Sequence, residues 1–186
     1  MKTIYAFLAT GFEEIEALTV IDICRRAELN VKTISITGER AVVSCHGIPV
    51  VADQLFDDTD FSDADMLFLP GGMPGAANLD GHEGLRQLIL RHHAAALPLS
   101  AICAAPMVYG HLGLLKGINA TCYPGFESEL EGATPTGALT VCDGQFLLGK
   151  GPAAAFELGY AIVRYYCGVD AAQALSDGMI YTQLLS

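Results

Sequence analysis

A chain of 186 residues that is 52% hydrophobic is too apolar to stay disordered, and it buries roughly 70% of the surface its unfolded form exposes, so no disulfide or metal staple is needed for stability. Its 10 Lys+Arg against 21 Asp+Glu give a formal charge of -11, which excludes a surface built to track nucleic-acid phosphates or an anionic membrane, since both are held by neutralising negative charge. The length predicts one domain over residues 1–186.

The first ten residues carry one positive charge and an apolar run. Gly11-Phe12-Glu13-Glu14-Ile15-Glu16 stands where a signal peptide would have its cleavage region, so a buried strand over 3–9 is predicted instead. A helix follows over 14–27, with Ile15, Leu18 and Ile21 on its buried face and Glu13 and Glu14 toward solvent, and then a β-branched strand over 31–37. Short runs at 41–44 and 48–52 flank Cys45-His46-Gly47 as a small hairpin. Residues 57–65 are an acidic, solvated loop that lacks the glycine and closing glutamate of a calcium loop.

The short strand 66–69 stops at Pro70-Gly71-Gly72. A helix over 84–96 turns Arg86, Arg91, His92 and His93 outward. The next strand, 97–102, leads through Cys103 into a helix over 104–115. A hairpin over 139–148 turns at Asp143-Gly144, and helices over 152–167, with Pro152 in its first turn, and 169–181 close the chain. No stretch stays apolar for the roughly eighteen residues that span a bilayer, and a cytoplasmic location is expected. The alternation of apolar strands with helices predicts an α/β fold, doubly wound, with a mainly parallel sheet and helices on both faces. Its ligand crevice is expected at the carboxyl ends of the strands, where strand order reverses.

The six cysteines are widely and irregularly spaced without a CxxC pair. They are expected to be reduced thiols, each with the ordinary role of a small buried hydrophobe. Cys103 stands apart because it sits between a strand and a helix with Ala101, Ala104 and Ala105 around it. A nucleophile elbow has that form: a sharp turn that aims the side chain out of the sheet, small neighbours that tolerate crowding, and helix-terminal amides that lower the thiol pKa. Gly71 and Gly72 offer backbone donors for a developing oxyanion, although Pro-Gly-Gly is also a plain turn. Glu16 is the third component. In a desolvated place its carboxyl keeps its proton and can donate it to a thiolate or to substrate; the alternative is a charged helix start that complements the dipole. No HExxH motif, Cys/His ligand spacing or Walker loop occurs, so no metal or other cofactor is expected.

Gly11-Phe12-Glu13-Glu14-Ile15-Glu16, Leu69-Pro70-Gly71-Gly72, Ala101-Ile102-Cys103-Ala104-Ala105-Pro106 and Gly149-Lys150-Gly151-Pro152, in that order, resemble the DJ-1/ThiJ/PfpI superfamily, closest to its DJ-1 branch. The resemblance implies a flavodoxin-like fold, a homodimer, and a reactive Cys103 hydrogen-bonded to a protonated Glu16, with the amides of Gly72 and Ala104 lining the oxyanion site. It further implies a cofactor-independent, cysteine-dependent glyoxalase or deglycase acting on methylglyoxal-like aldehydes or their glycated adducts, or alternatively a non-enzymatic oxidative-stress sensor or redox-regulated chaperone. Ala104 stands where the protease-like branch has a histidine, which argues against a peptidase. The histidine that the DJ-1 branch carries after the next strand is replaced by Thr121-Cys122-Tyr123-Pro124. That leaves Tyr123 as a hydroxyl and His46, supplied by a partner subunit, as candidate substitutes; His46 also fits an exposed surface histidine.

Overall fold

The computed structural model describes residues 1–184, so the last two residues of the predicted domain, 185 and 186, lie outside it. In chain order, β1 (Thr3–Leu8) leads into α1 (Glu14–Arg26) and β2 (Asn30–Ser35), and then a hairpin of β3 (Ala41–Val43) and β4 (Pro49–Val51) precedes β5 (Gln54–Leu55) and β6 (Met66–Leu69). Next come α2 (Gly75–Gly81), α3 (Glu83–Ala94), β7 (Leu99–Ile102) and α4 (Pro106–His111). After β8 (Asn119–Ala120) and β9 (Thr134–Pro135), the chain ends with β10 (Thr140–Asp143), β11 (Phe146–Gly149), α5 (Ala155–Cys167) and α6 (Val169–Gly178).

The main sheet runs β10-β11-β7-β6-β1-β2-β5. All of its pairings are parallel except the β10/β11 edge hairpin. Every residue of β1, β6, β7 and β11 is buried, as expected of parallel strands covered on both faces. Helices α1 and α5 pack together on one side and α2 packs with α3 and α4 on the other, giving the flavodoxin-like arrangement. The chain passes from β1 outward to β2 and returns on the other side of β1 as β6. The carboxyl ends of β1 and β6 therefore flank a switch point. No helix among the described residues is long and apolar enough to cross a membrane.

Several local expectations give way to packing. Ile15 and Leu18 are 51% and 40% exposed. Helix α1 buries Ala17, Val20, Ile21, Ile23 and Cys24 instead, because α5 approaches so closely that a Cβ on Gly159 would lie 2.8 Å from Ile23 Cδ1. His92 points inward, where its Nε2 lies 3.1 Å from the Pro98 carbonyl oxygen, and its desolvated ring has a lowered pKa. The acidic loop is anchored rather than merely solvated. Asp65 accepts from the Thr3 amide at 2.8 Å and pairs with Lys2, while Asp63 accepts from the Tyr5 hydroxyl at 2.6 Å and pairs with Lys32. The helix predicted over 104–115 is shortened to Pro106–His111. It starts late because Cys103 is left-handed, and Gly113, at φ 71°, turns the chain just beyond its end. Of the six free cysteines, Cys45, Cys142 and Cys167 are exposed rather than packed.

At the end of α4, His111 bridges two carboxylates, with Nδ1 2.8 Å from Asp80 and Nε2 2.9 Å from Glu129. Arg86 also pairs with Asp80. The hydrogen bonds to Asp80 and Glu129 raise the His111 pKa. A pKa higher in the folded than in the unfolded state gives stability that is complete below the unfolded value of about 6.5 and is lost as pH rises through the folded one. Replacing His111 by glutamine is expected to cost on the order of 1 kcal/mol at pH 6 and distinctly less at pH 9. Urea midpoints at the two pH values check this, and an equal cost at both would show that the bridge contributes no charge.

Candidate functional site

Three strand ends meet at one place. After β1, Gly11 takes φ 85° and donates its amide to the Val43 carbonyl at 2.8 Å. The Glu13 amide donates to the Gly71 carbonyl at 2.9 Å and ties this loop to the end of β6. The Glu13 side chain caps α1 by accepting from the Glu16 amide at 2.7 Å, so Glu13 is buried rather than solvent-facing. Glu13 and Glu16 stand at the N-cap and N3 spacing of a capping box, and that spacing is a signal from which the cap could have been read. The return half of the box is absent because Glu16 turns inward and is fully buried.

Gly71 is the element that lets the site close. Its amide donates to Glu16 Oε2 at 3.0 Å, so that amide holds the acid rather than remaining free for an oxyanion. A Cβ on Gly71 would lie 2.6 Å from both Cys103 Cβ and Glu16 Oε2. The acid and the thiol residue thus face each other across a gap that only glycine leaves open. Gly72, at φ 86°, is equally constrained, because a Cβ there would lie 2.5 Å from the Glu13 amide nitrogen.

Cys103 takes φ 65°, a left-handed conformation that costs a non-glycine residue about 1–2 kcal/mol. The surroundings hold it there: its amide donates to the Gly149 carbonyl at 2.9 Å, and its carbonyl accepts from the Tyr123 amide at 2.9 Å. The residue is 8% exposed, so an elbow thiol opens narrowly to solvent. The backbone amides of Gly72 and Ala104 both act to lower the pKa of its thiol.

The electrostatics of the pair are set first by burial. Desolvation pushes the Glu16 carboxyl up to about 7; the neighbouring charge of Glu13 adds to this, while Cys103 and the Gly71 amide oppose it. Burial and the Glu16 charge push the Cys103 thiol up, against the downward pull of the Gly72 and Ala104 amides. The thiol is therefore not depressed in the way the sequence predicts. Helix α4 begins only at Pro106, and the dominant neighbour is a carboxyl. The two groups titrate as a unit. While Glu16 holds its proton, the thiol has no adjacent negative charge, and a carboxylic O–H is a donor for a thiolate. Glu16 Oε1 is buried with no hydrogen-bond partner among the described residues, and the neighbouring Cys103 thiol acts to lower the pKa of this carboxyl.

The remaining predicted residues divide. Tyr123 is bound to Cys103 through the backbone, but its side chain is 47% exposed and walls an apolar recess of about 210 Å³ with Pro124, Leu139, Lys150 and Pro152. His46 is not gathered with Cys103; it lies on the β3–β4 turn with its Nδ1 2.9 Å from Glu14. Glu14, expected to face solvent, has a side chain only 12% exposed as a result.

A sequence model described as the DJ-1/PfpI family matches residues 2–165. Over 181 residues the chain is 33% identical to Protein DJ-1 homolog B of Arabidopsis thaliana, covering 96% of this chain and 41% of that protein, so it spans well under half of that relative's length. Among solved structures it is similar to a mutant of the DJ-1 superfamily protein STM1931 from Salmonella typhimurium, with TM-score 0.92, 33% identity, and 97% and 98% of the two chains covered. It is also similar to Toxoplasma gondii DJ-1 in an oxidized state, with TM-score 0.93, 27% identity, and 97% and 98% covered.

Proposed function

The chain belongs to the DJ-1/PfpI family, and from that premise we propose that it is a cysteine-dependent, cofactor-independent enzyme of the glyoxalase or deglycase type. Its substrates are methylglyoxal-like aldehydes or their adducts, and it works in the cytoplasm. The observation that carries the reading is the buried Glu16–Cys103 pair, an acid near neutrality facing a thiol across Gly71. Cys103, as a thiolate whose proton has gone to solvent, bonds through sulfur to the aldehyde carbon, and the carbonyl oxygen takes the Glu16 proton, giving a hemithioacetal. Glu16, now a carboxylate, removes the hydrogen from that carbon and returns it to the neighbouring ketone carbon, while the hydroxyl proton passes to the ketone oxygen, leaving a lactoyl thioester. Water then breaks the carbon–sulfur bond, releasing lactate and one proton to solvent and restoring the thiolate and the protonated Glu16. One carbon is oxidised and its neighbour reduced, so no external oxidant or reductant enters. The Gly72 and Ala104 amides stabilise the oxyanion of the first step in this reading, which their lowering effect on the Cys103 thiol supports. The test is a chiral lactate assay on the purified chain with methylglyoxal and no added thiol, metal or nucleotide; release no faster than in buffer alone would overturn the proposal.

A second reading is a sensor or chaperone switched by oxidation of Cys103 to a sulfinate held by the same acid and amides. The oxidized state of the Toxoplasma relative favours it. Mild peroxide should then oxidise Cys103 ahead of the other five thiols, as read by mass spectrometry.

The proposed homodimer uses the face formed by Ile15 and Leu18 of α1 with Val43, Ile48 and Val51 of the hairpin, all at least 40% exposed. The Glu14–His46 contact joins those two elements. A second copy is the occupant that the family resemblance implies, and exposed apolar side chains on two elements in contact are costly to leave in water. A Leu18→Glu, Val51→Glu double variant is expected to elute as a monomer in light-scattering chromatography where the parent elutes as a dimer.

A further inference from the structure

The sequence has no spaced metal motif, yet the fold brings a third ligand type to an adjacent cysteine and histidine. Glu14, at the start of α1, lies against the β3–β4 turn, where Cys45 Sγ is 3.7 Å from Glu14 Oε2 and 3.4 Å from His46 Nδ1, and His46 Nδ1 is 2.9 Å from Glu14 Oε1. The three ligand atoms all lie within 4.8 Å of one another.

We propose that Glu14, Cys45 and His46 form a binding site for a zinc-like divalent ion, with three protein ligands and water in the fourth position. A tetrahedral zinc ion with ordinary bond lengths needs about 3.5 Å between sulfur and either light ligand atom, and about 3.3 Å between nitrogen and oxygen. The sulfur–nitrogen separation already matches to within about 0.1 Å, whereas sulfur meets Glu14 Oε2 and the imidazole meets Oε1, so ligation requires the carboxylate to turn one oxygen toward both as the ion replaces the histidine–glutamate proton. Thiolate, imidazole and carboxylate together suit zinc, whereas calcium and magnesium want oxygen alone.

The site is preorganised by backbone rather than by chance rotamers. The Cys45 amide donates to the Phe12 carbonyl at 2.8 Å, which locks the turn onto the loop before α1. Within the turn, the Ser44 amide donates to the Ile48 carbonyl at 2.9 Å, and Ser44 Oγ accepts from the Ile48 amide at 3.0 Å. Gly47 supplies the positive φ that the reversal needs. Glu13 adds a second negative charge within electrostatic reach of Cys45, which favours a cation. His46 is 67% exposed in the single chain, so an ion and its water can enter from solvent before a second copy covers this face. A bound ion would rivet the hairpin to the helix that carries Glu16, two residues beyond its own carboxylate ligand. The proposal stands independently of whether Cys103 is a nucleophile.

The test is isothermal titration of the reduced full chain with zinc, with cobalt substitution to read the ligand set from its thiolate charge-transfer band. The parent and Cys103→Ser are expected to bind one ion per chain with that band. Cys45→Ser should abolish the band. Glu14→Gln and His46→Ala should each weaken binding by at least about tenfold, as loss of one of three protein ligands requires, and circular dichroism checks that every variant is folded. Full-affinity binding in Cys45→Ser, or loss of the band in Cys103→Ser, would overturn the assignment by placing the ion elsewhere.

Discussion

Cys103→Ser is expected to lower methylglyoxal turnover to the buffer rate, a loss on the order of 10³-fold or more for a covalent mechanism deprived of its nucleophile. A serine hydroxyl is far harder to ionise than a thiol, and among the described residues no histidine is hydrogen-bonded to Cys103 to take its proton. Glu16→Gln is the complementary case. The amide can still accept from Gly71 but has no proton to deliver and no carboxylate to shuttle hydrogen, so a loss of about 10²–10⁴-fold in kcat is expected.

The pH dependence separates the two roles. With both groups protonated at low pH, the pair has no thiolate. As pH passes through about 7, one proton leaves and a single negative charge is shared between carboxyl and sulfur. The parent's kcat/KM should therefore rise with a limb near pH 7 and then level off. In Glu16→Gln only the thiol titrates. Burial still pushes it up, so the residual limb should move to higher pH than in the parent. Iodoacetamide labelling of Cys103, followed residue by residue, should shift the same way. A limb that stays near pH 7 in Glu16→Gln would mean that another group controls the reaction.

Gly71→Ala is expected to damage stability and chemistry together. The added Cβ would lie 2.6 Å from Cys103 Cβ, 2.6 Å from Glu16 Oε2 and 2.8 Å from the Ile102 carbonyl oxygen. Two of these are a side-chain root and a backbone atom, which cannot swing away. Either the end of β6 separates from β7 or the carboxyl is expelled from its bond to the Gly71 amide. Overpacking of this kind costs about 2–3 kcal/mol, which for a chain of this length corresponds to a fall of roughly 5–10 °C in Tm. Gly81→Ala is the control, since nothing lies within 4 Å of its Cβ position, and its Tm should hold or rise slightly. A Gly71→Ala protein that melts with the parent would refute the close approach on which the site depends.

What was legible in the sequence follows from what a residue's immediate neighbours can dictate. The apolar runs of β1, β6 and β7 could only be strands buried on both faces. Cys103 was distinguishable because it ends one of them among alanines. Glu16 could be separated from Glu14 by its neighbours Ile15 and Ala17, although not by the side of the helix that those neighbours were expected to cover. Short-range sequence was silent or misleading wherever a second element decides. Ile15 and Leu18 look like core on helical spacing, but Gly159 lets α5 come so close that a different stripe of α1 is buried. His92 looks like part of a polar face and is claimed by the Pro98 carbonyl. Glu13 reads as a solvent-facing residue at a helix start and is a buried cap.

The sequence by itself determined the layered architecture and the family and singled out Cys103 and Glu16 as candidates, because hydrophobic periodicity, glycines at turns and a small-residue elbow are properties of neighbours along the chain. The tertiary structure alone decided how those residues act on each other. It allotted the Gly71 amide to the acid, raised the Glu16 carboxyl to about 7 by burying it, and set Glu14 against Cys45 and His46, some thirty positions away in the chain. Hydrogen-bond partners, desolvation and charge–charge distances depend on which surfaces meet in space, and only the folded backbone fixes those meetings.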